Sequence, residues 1–280
     1  SYNTALGYSA SHFNSTGQYN VSLGYQTLYC NSTGPRNTAI GTYALHKTTT
    51  NDNTGVGYGA GICTTTGSGN TVTGACALYY NTTGTGNTTT GYLSLHANTT
   101  GGYSTAVGFR ALRSNTTGRN TAYGADALYD NTTGTKNTAL GDNSLYNNTT
   151  GSCNTASGYL SLYCNTTGSY NTAVGFDSLK NTTVGYNTAV GLRSLYSNTT
   201  GRNNAFGTYA LNSNTTGTSN TALGDSTLYY NTTGSNNTAS GLMALFCNTT
   251  GTYNTASGIY SLRNNTTGYN NAAFGANSLC

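Results

Sequence analysis

The stretch N-T-A-L-G-D-N-S-L-Y-N-N-T-T-G-S-C, residues 137–153, decides the fold, because near-copies of it fill the whole chain. One glycine anchors each copy, and successive anchors are always 17 or 16 residues apart. Repetition at a short fixed period indicates a repeat architecture. The anchoring glycines are Gly7, Gly24, Gly41, Gly57, Gly74, Gly91, Gly108, Gly124, Gly141, Gly158, Gly175, Gly191, Gly207, Gly224, Gly241, Gly258 and Gly275.

The four 16-residue copies indicate which parts of the repeat are strands. Their missing residue always falls between the leucine and the next strand asparagine, whereas N-T-A-x-G-x-x-(A/S)-L never changes length. Loops tolerate deletions and paired strands do not, because a one-residue slip turns every side chain to the other face. We therefore predict two short strands, N-T-A-x-G and (A/S)-L-x, and a turn at N-T-T-G. The glycine, threonine and asparagine content argues against helix.

These features predict an all-β fold, a parallel β-solenoid (β-roll or β-helix) of about 17 coils with 16 or 17 residues in each. At a strand spacing of about 4.8 Å, the stack would be roughly 80 Å long. Each coil would contact only its neighbours. No linker, charged block or change of composition divides the chain, so residues 1–280 are predicted to form a single continuous repeat domain.

A row of leucines is the candidate core, interrupted only by Ser11 and Gly61. The residue x of A-x-G is often large and apolar, so we expect it to point inward and face the leucines. Strand alternation would then place the alanine outward, on a flat face or on a face where another chain packs. The residues expected inward are Leu6, Leu23, Ile40, Val107, Val174, Phe206, Leu223 and Phe274, opposite Leu28, Leu45, Leu78, Leu95, Leu112, Leu128, Leu145, Leu162, Leu179, Leu195, Leu211, Leu228, Leu245, Leu262 and Leu279.

Asparagine occupies two rows of the repeat. The asparagine before each strand, from Asn3 to Asn271, is predicted to form a hydrogen-bonded ladder of stacked amides. The turn asparagine lies in Asn-x-Ser/Thr sequons and is expected on an exposed turn, where it could carry a glycan. The alternative is that Asn and Gly only supply left-handed backbone positions. The candidate glycosylation sites are Asn14, Asn31, Asn81, Asn98, Asn115, Asn131, Asn148, Asn165, Asn181, Asn198, Asn214, Asn231, Asn248 and Asn265.

An aromatic row follows the leucines, from His12 to Phe246. We expect it to face outward, with rings that stack coil on coil or form a platform for sugars or a partner chain. Its three histidines would be roughly 10–14 Å apart and so too distant to share a zinc ion. The seven cysteines include no C-x-x-C pair. Few or no internal disulfides are expected, with a link between chains through Cys280 as the alternative.

Composition excludes several classes of function. The ten Lys and Arg are scattered, so no basic stripe could follow a nucleic acid backbone. No apolar run approaches the roughly eighteen residues of a membrane span. The six Asp are not paired for acid–base work, and no nucleophile elbow or phosphate loop is present. The sequence therefore predicts a protein that is not an enzyme and that has no catalytic, cofactor-binding or metal-binding residues.

The strings N-T-A-L-G, N-T-A-V-G and N-T-A-I-G, each followed by x-x-(A/S)-L, resemble two groups of repeat proteins. One is the head repeat of trimeric autotransporter adhesins, whose Asn-Ser-x-Ala-Ile-Gly motif builds a left-handed parallel β-roll. The other, closer in unit length and in the N-T-T-G turn, is the repeat of tail-fibre-like surface proteins of phages and bacteria. The resemblance covers the whole chain and implies a fibre exposed outside the cell or on the surface of a cell or virion.

The sequence thus favours a structural extracellular fibre or filament of stacked β-coils, whose N-T-T turns could carry glycans. The alternative function is an adhesin or receptor-binding surface protein. Expected partners are copies of the same chain, end to end or side by side, and covalent glycans; neither nucleic acid nor a membrane span is expected. Ice binding is disfavoured, because threonines two apart within a strand occur only at Thr71/Thr73 and Thr88/Thr90.

Overall fold

The fold is that of a parallel β-solenoid. The structure, a computed structural model, describes residues 2–279, which contain seventeen β-strands and no helix. The strands form about 16 turns, which confirms the predicted fold class. No segment of residues 2–279 forms a long apolar helix of the kind that crosses a membrane. The chain divides into two compact units, Ser1–Ala139 and Leu140–Cys280, which are described separately. The single-domain organisation stays a prediction.

Every strand has three residues and begins directly after the strand asparagine or, in one coil, directly after Ser104. In-register parallel pairing places each position of the repeat above the same position of the next coil, as in Thr38 on Thr54 and Thr54 on Thr71. The first unit contains β1 (Thr4–Leu6), β2 (Val21–Leu23), β3 (Thr38–Ile40), β4 (Thr54–Val56), β5 (Thr71–Thr73), β6 (Thr88–Thr90), β7 (Thr105–Val107) and β8 (Thr121–Tyr123). The strand β9 (Thr138–Leu140) includes the boundary, and the second unit contains β10 (Thr155–Ser157), β11 (Thr172–Val174), β12 (Thr188–Val190), β13 (Asn204–Phe206), β14 (Thr221–Leu223), β15 (Thr238–Ser240), β16 (Thr255–Ser257) and β17 (Ala272–Phe274).

The second predicted strand, (A/S)-L-x, is not formed, so that prediction was wrong. The segment is a run of turns in which the core leucines have left-handed backbone, with φ between +47° and +53°. A left-handed residue cannot continue an extended strand. Hydrogen bonds between coils persist all the same: the Leu228 N–H donates to the Ala244 carbonyl at 3.0 Å.

Two further positions of the repeat are also left-handed, one two residues before the leucine and one just before the next strand asparagine. No Val, Ile or Thr has positive φ anywhere in residues 2–279, although threonine is abundant in the chain. β-Branched side chains tolerate this region worst. The distribution of residue types therefore follows the backbone conformation, coil after coil.

The anchoring glycines are required for two reasons. Their φ values lie between +108° and +138°, a region that L side chains rarely adopt. A Cβ on Gly141 would also lie 2.8 Å from the carbonyl carbon of Gly158 in the next coil. The glycine of the N-T-T-G turn is required only because no larger residue would fit. A Cβ on Gly17 would lie 2.7 Å from the Gly34 carbonyl oxygen. The suggestion that the turn Asn and Gly supply left-handed positions was wrong, since neither residue has positive φ there.

The interior holds the leucines together with the strand alanines. Leu145 and Ala173 are fully buried, so the inward leucine row is confirmed. The assignment of x inward and alanine outward was wrong, because x is outward in every coil. Coils stack directly on one another and each leucine already fills the interior, which leaves space opposite it only for a small side chain. The x residues found exposed or half-buried are Leu6, Leu23, Ile40, Val107, Val174, Phe206, Leu223 and Phe274.

The second of the two coils that lack a core leucine, residues 53–69, shows how tightly volume is conserved. Gly61 stands at the leucine position and Gly55 at the alanine position. The Leu45 side chain leans into this space, with Cγ 2.7 Å from where a Cβ of Gly55 would lie. The next coil has Val72, fully buried, in place of alanine. A Cγ of Val72 lies 3.8 Å from the Cβ position of Gly61, so neighbours replace the missing side chain.

Candidate functional site: the turn row and its grooves

The strand asparagines form the predicted ladder. The Asn237 N–H donates to the Asn220 side-chain oxygen at 2.9 Å, and the Asn254 N–H donates to the Asn237 side-chain oxygen at 3.0 Å. Each side-chain amide also donates within its own coil, as Asn220 Nδ2 does to the Gly234 carbonyl at 2.8 Å. Because these groups are buried, every such bond satisfies a donor that water cannot reach.

The turn asparagines form a second ladder, which sequence reasoning missed. Asn231 Nδ2 donates to Asn214 Oδ1 at 2.7 Å and to the Gly234 carbonyl at 2.9 Å. Asn248 Nδ2 in turn donates to Asn231 Oδ1 at 2.8 Å. Amides from both ladders therefore converge on the carbonyl of one turn glycine. The signal that could have indicated this ladder is the same one that indicated the first, an asparagine at one position of nearly every coil.

The sequon asparagines were expected on exposed turns, and for their side chains this was wrong. Their amides are donors within the second ladder, and the exposed residue of the turn is the second threonine, such as Thr150 or Thr233. Asn14 and Asn265, in the end coils, are half-buried. Glycan attachment itself stays a prediction. The fully buried sequon residues are Asn31, Asn81, Asn98, Asn115, Asn131, Asn148, Asn165, Asn198, Asn214, Asn231 and Asn248.

One sequon asparagine lies outside the row. The coil of residues 171–186 is one residue short, and Thr182 occupies the buried ladder position in place of Asn181. Asn181 is half-buried, and its Nδ2 donates to the Tyr196 carbonyl at 3.0 Å. Its Oδ1 accepts the Cys164 thiol at 3.7 Å.

Two of the short coils, residues 104–119 and 171–186, interrupt the turn ladder. Thr117 and Val184 occupy the position of the turn glycine in these coils. The Val184 carbonyl accepts a hydrogen bond from Asn171 Nδ2 at 2.9 Å. The Thr117 carbonyl accepts one from Asn115 Nδ2. In the coil before each short one, the buried Oδ1 of Asn98 or of Asn165 has no hydrogen-bond partner among residues 2–279. One exposed turn residue is missing from each short coil, so the surface is notched there.

A groove lies at each of these two turns. Groove 1, in the first unit, has a volume of about 520 Å³, and groove 2, in the second unit, about 460 Å³. Both are lined by threonine hydroxyls, a tyrosine and an arginine. The lining includes Thr100, Tyr103, Thr117 and Arg119 in groove 1, and Thr183, Tyr186, Thr200 and Arg202 in groove 2.

The groove arginines carry uncompensated charge. Arg119 and Arg202 form no ion pair within residues 2–279. Lys136 lies in the same row of the next coil, and its backbone N–H donates to the Arg119 carbonyl at 2.9 Å. The Arg202 guanidinium lies 4.8 Å from the centre of the Tyr186 ring. A third short coil, residues 37–52, differs: Arg36 pairs with Asp52 at 2.5 Å and holds the pKa of that carboxyl below its usual range. Within residues 2–279, grooves 1 and 2 therefore each contain an arginine without an ion-pair partner, whereas the arginine beside the turn of residues 37–52 is neutralised.

The aromatic row stacks along the coils, as predicted. The His46 ring lies 5.1 Å from that of Tyr29, nearly parallel to it. Burial, followed by the charge of Lys47, lowers the pKa of His46. The imidazole therefore favours its neutral form, which suits a stacked position between coils.

The remaining reactive side chains are dispersed. The six cysteines described are free thiols, and burial raises the pKa of Cys76 and Cys164. Cys280, the candidate for a link between chains, lies outside the described residues. Within residues 2–279, no three His, Cys or Asp side chains lie close enough to hold a metal ion.

Searches of protein-family models, of curated proteins and of solved structures each found no match to this chain. The resemblance to adhesin heads and tail-fibre-like proteins therefore depends on the repeat motifs alone.

Proposed function

We propose that the protein is a structural component of an extracellular filament, in which copies of the chain pack side by side. The observation that carries this proposal is a mainly apolar surface that we call the corner stripe, in which Asp142 and Asp225 are the two charged residues. It comprises the residues on either side of each anchoring glycine: the x of A-x-G and the residue after the glycine. Both point outward in every coil.

The corner stripe recurs in both units. In the second unit, Phe206, Leu223, Leu242 and Ile259 are between 39% and 53% exposed. In the first, Leu23, Tyr25, Tyr58, Tyr92 and Phe109 are between 40% and 56% exposed. Single exposed apolar residues are ordinary, but a contiguous patch of them indicates a surface that another molecule covers.

A second copy of the chain is the occupant that suits the stripe best. The stripe repeats at the spacing of the coils, so two copies can match at every coil rather than at one place. The net charge of +4 over 280 residues gives little repulsion between copies. Each added coil extends the contact, which is how a weak repeated contact becomes a stable one.

The interior suits a mechanical role. The two asparagine ladders and the leucine row join every coil to its neighbours without relying on a large apolar core. An extracellular or surface location is supported by the resemblance of the repeat motifs to surface fibres. If glycans are part of this filament, Asn181 is the sequon we propose as carrier, because its amide lies outside the buried ladder.

An adhesin is the second candidate, favoured by the two grooves with their exposed tyrosines and unpaired arginines. The two functions differ in what they require: self-assembly through the corner stripe for a filament, and recognition of another molecule for an adhesin.

The filament proposal is tested by charge placed on the stripe. The variant Leu223→Lys/Leu242→Lys should remain as single chains under conditions in which the unaltered protein forms elongated filaments in electron micrographs and sediments. The matched control is Thr216→Lys/Thr233→Lys, which adds the same charge on exposed turns and should assemble normally. Unaltered protein that stays as single chains, or stripe variants that assemble as well as the control, would overturn the proposal.

A further inference from the structure

We propose that grooves 1 and 2 each bind a short stretch of an acidic polysaccharide, a chain of sugar rings that bear carboxylate or sulfate groups. This inference does not rest on the filament proposal, because the grooves lie on the N-T-T turns and use none of the corner-stripe residues. It rests on the unpaired arginines, the stacking of Arg202 on Tyr186, and the lining of the grooves.

The arginines provide the recognition of an anion. Arg119 and Arg202 have no acidic partner, and guanidinium groups bind carboxylate and sulfate oxygens through paired N–H donors. Arg202 is already positioned, since it stacks on Tyr186, which itself stacks on Tyr170 at 5.1 Å. An arginine held in place loses less conformational freedom when it binds.

The rest of each lining suits sugars. Threonine hydroxyls are both donors and acceptors, as sugar hydroxyls are, and Thr117, Thr183 and Thr200 contribute them to the grooves. Tyr103 and Tyr186, 68% and 57% exposed, add phenol groups. Volumes near 500 Å³ are in the range that holds an organic ligand rather than a single inorganic anion. Both grooves are open to solvent rather than enclosed, so their occupant need not be a small molecule.

Nucleic acid fits groove 2 less well than an acidic polysaccharide does. A phosphate backbone places a charge at every nucleotide and needs a row of cations, whereas groove 2 offers one. Base stacking needs an uncovered aromatic face, and the Tyr186 ring lies between Tyr170 and Arg202.

The short coil of residues 37–52 supplies an internal contrast. Its turn is shortened in the same way. Arg36, the residue just before this coil, lies in the same row as Arg119, but its charge is neutralised by Asp52. We therefore expect no saccharide there, and Arg36→Gln removes one charge from the protein without touching either groove.

Calorimetric titration of the full chain with a heparin tetrasaccharide tests the proposal. We expect about two sites per chain, one for each groove. Arg119→Gln or Arg202→Gln should weaken one of the two sites roughly ten-fold or more, as loss of a charged hydrogen bond does, and the double variant should weaken both. Arg36→Gln should bind like the unaltered protein.

Three further probes sharpen the result. A hyaluronan tetrasaccharide, which has carboxylates only, distinguishes carboxylate from sulfate recognition, and binding of either supports the proposal. Maltotetraose, which is neutral, should not bind. Equal binding of maltotetraose, tighter binding of a single-stranded oligonucleotide, equal weakening by Arg36→Gln, or no binding of either acidic probe would overturn it. The Leu223→Lys/Leu242→Lys variant should keep both sites, so failure of the filament proposal would be seen separately.

Discussion

At the scale of the residue, the core leucines combine full burial with an unfavourable backbone. Burial of a leucine side chain stabilises by about 1.5–3 kcal/mol, and a left-handed backbone costs about 1–2 kcal/mol. The net stabilisation that each leucine contributes is therefore small. A residue at this position must therefore be both large and tolerant of positive φ, and leucine, which is not β-branched, meets both conditions. Isoleucine and valine meet only the first.

This argument predicts unequal effects of two substitutions of similar volume. Leu228 is fully buried with φ +53°. We expect Leu228→Ile to lower the free energy of unfolding by about 2 kcal/mol more than Leu228→Met, because only isoleucine adds a branch at Cβ. Denaturant unfolding of the two variants measures the difference. Equal losses would mean that the left-handed conformation does not select the residue.

Which side chains point inward was only partly predictable. The leucine row was assigned correctly, because it is apolar in nearly every coil. The strand was assigned to the wrong face, because Ile40 and Val107 are more hydrophobic than the alanines beside them. Hydrophobicity favours the larger residue, but the space opposite Leu45 and Leu112 admits only the smaller. The hydrophobicity of a residue can be read directly from the sequence. The space available opposite a leucine can be inferred only when the coil spacing is known.

At the scale of the element, each coil is one three-residue strand joined by turns, with its polar groups arranged in ladders. The period and the parallel stacking followed from the sequence, since deletions fall only in the turn. The conformation of (A/S)-L-x could not be predicted in the same way, because its apolar content is equally compatible with a strand and with a buried turn. The absence of Val, Ile and Thr from three positions was the available signal, and it indicates left-handed backbone.

The turn ladder allows structural and glycosylation roles of one sequon to be separated. Asn231→Ala and Thr233→Ala both destroy the sequon of residues 231–233, but only the first removes ladder bonds, at 2.7 and 2.9 Å. We expect Asn231→Ala to cost about 2–4 kcal/mol, because Asn248 and Gly234 lose buried partners, and Thr233→Ala less than about 0.5 kcal/mol.

Thermal and denaturant unfolding of both variants, made in a host without glycosylation, measures these costs. Similar stability of the two variants would show that the ladder contributes little. The same pair made in a glycosylating host then reports any glycan, since a mass loss common to both variants would identify Asn231 as a carrier despite its burial.

At the scale of the whole molecule, stability is a sum over coils. Almost every hydrogen bond outside a coil goes to the next or the preceding one, as from Thr221 to Asn237 at 2.9 Å. An architecture of this kind has no single core whose loss unfolds everything, and damage spreads from neighbour to neighbour. An ion pair also joins neighbouring coils: Arg110 pairs with Asp126 of the adjacent coil at 2.8 Å.

Local damage should therefore stay local. We expect Leu95→Asp, which buries an unpaired charge, to raise amide hydrogen exchange most in the coils next to residue 95, with an effect that declines coil by coil. Residues 204–262 should keep their protection, because they belong to the second unit whereas Leu95 belongs to the first. Thr100→Asp adds the same charge at an exposed position of the same coil and should change little. Exchange followed by mass spectrometry resolves the two patterns. A uniform rise along the whole chain in Leu95→Asp would show that the solenoid unfolds as one cooperative body rather than as a series of neighbouring coils.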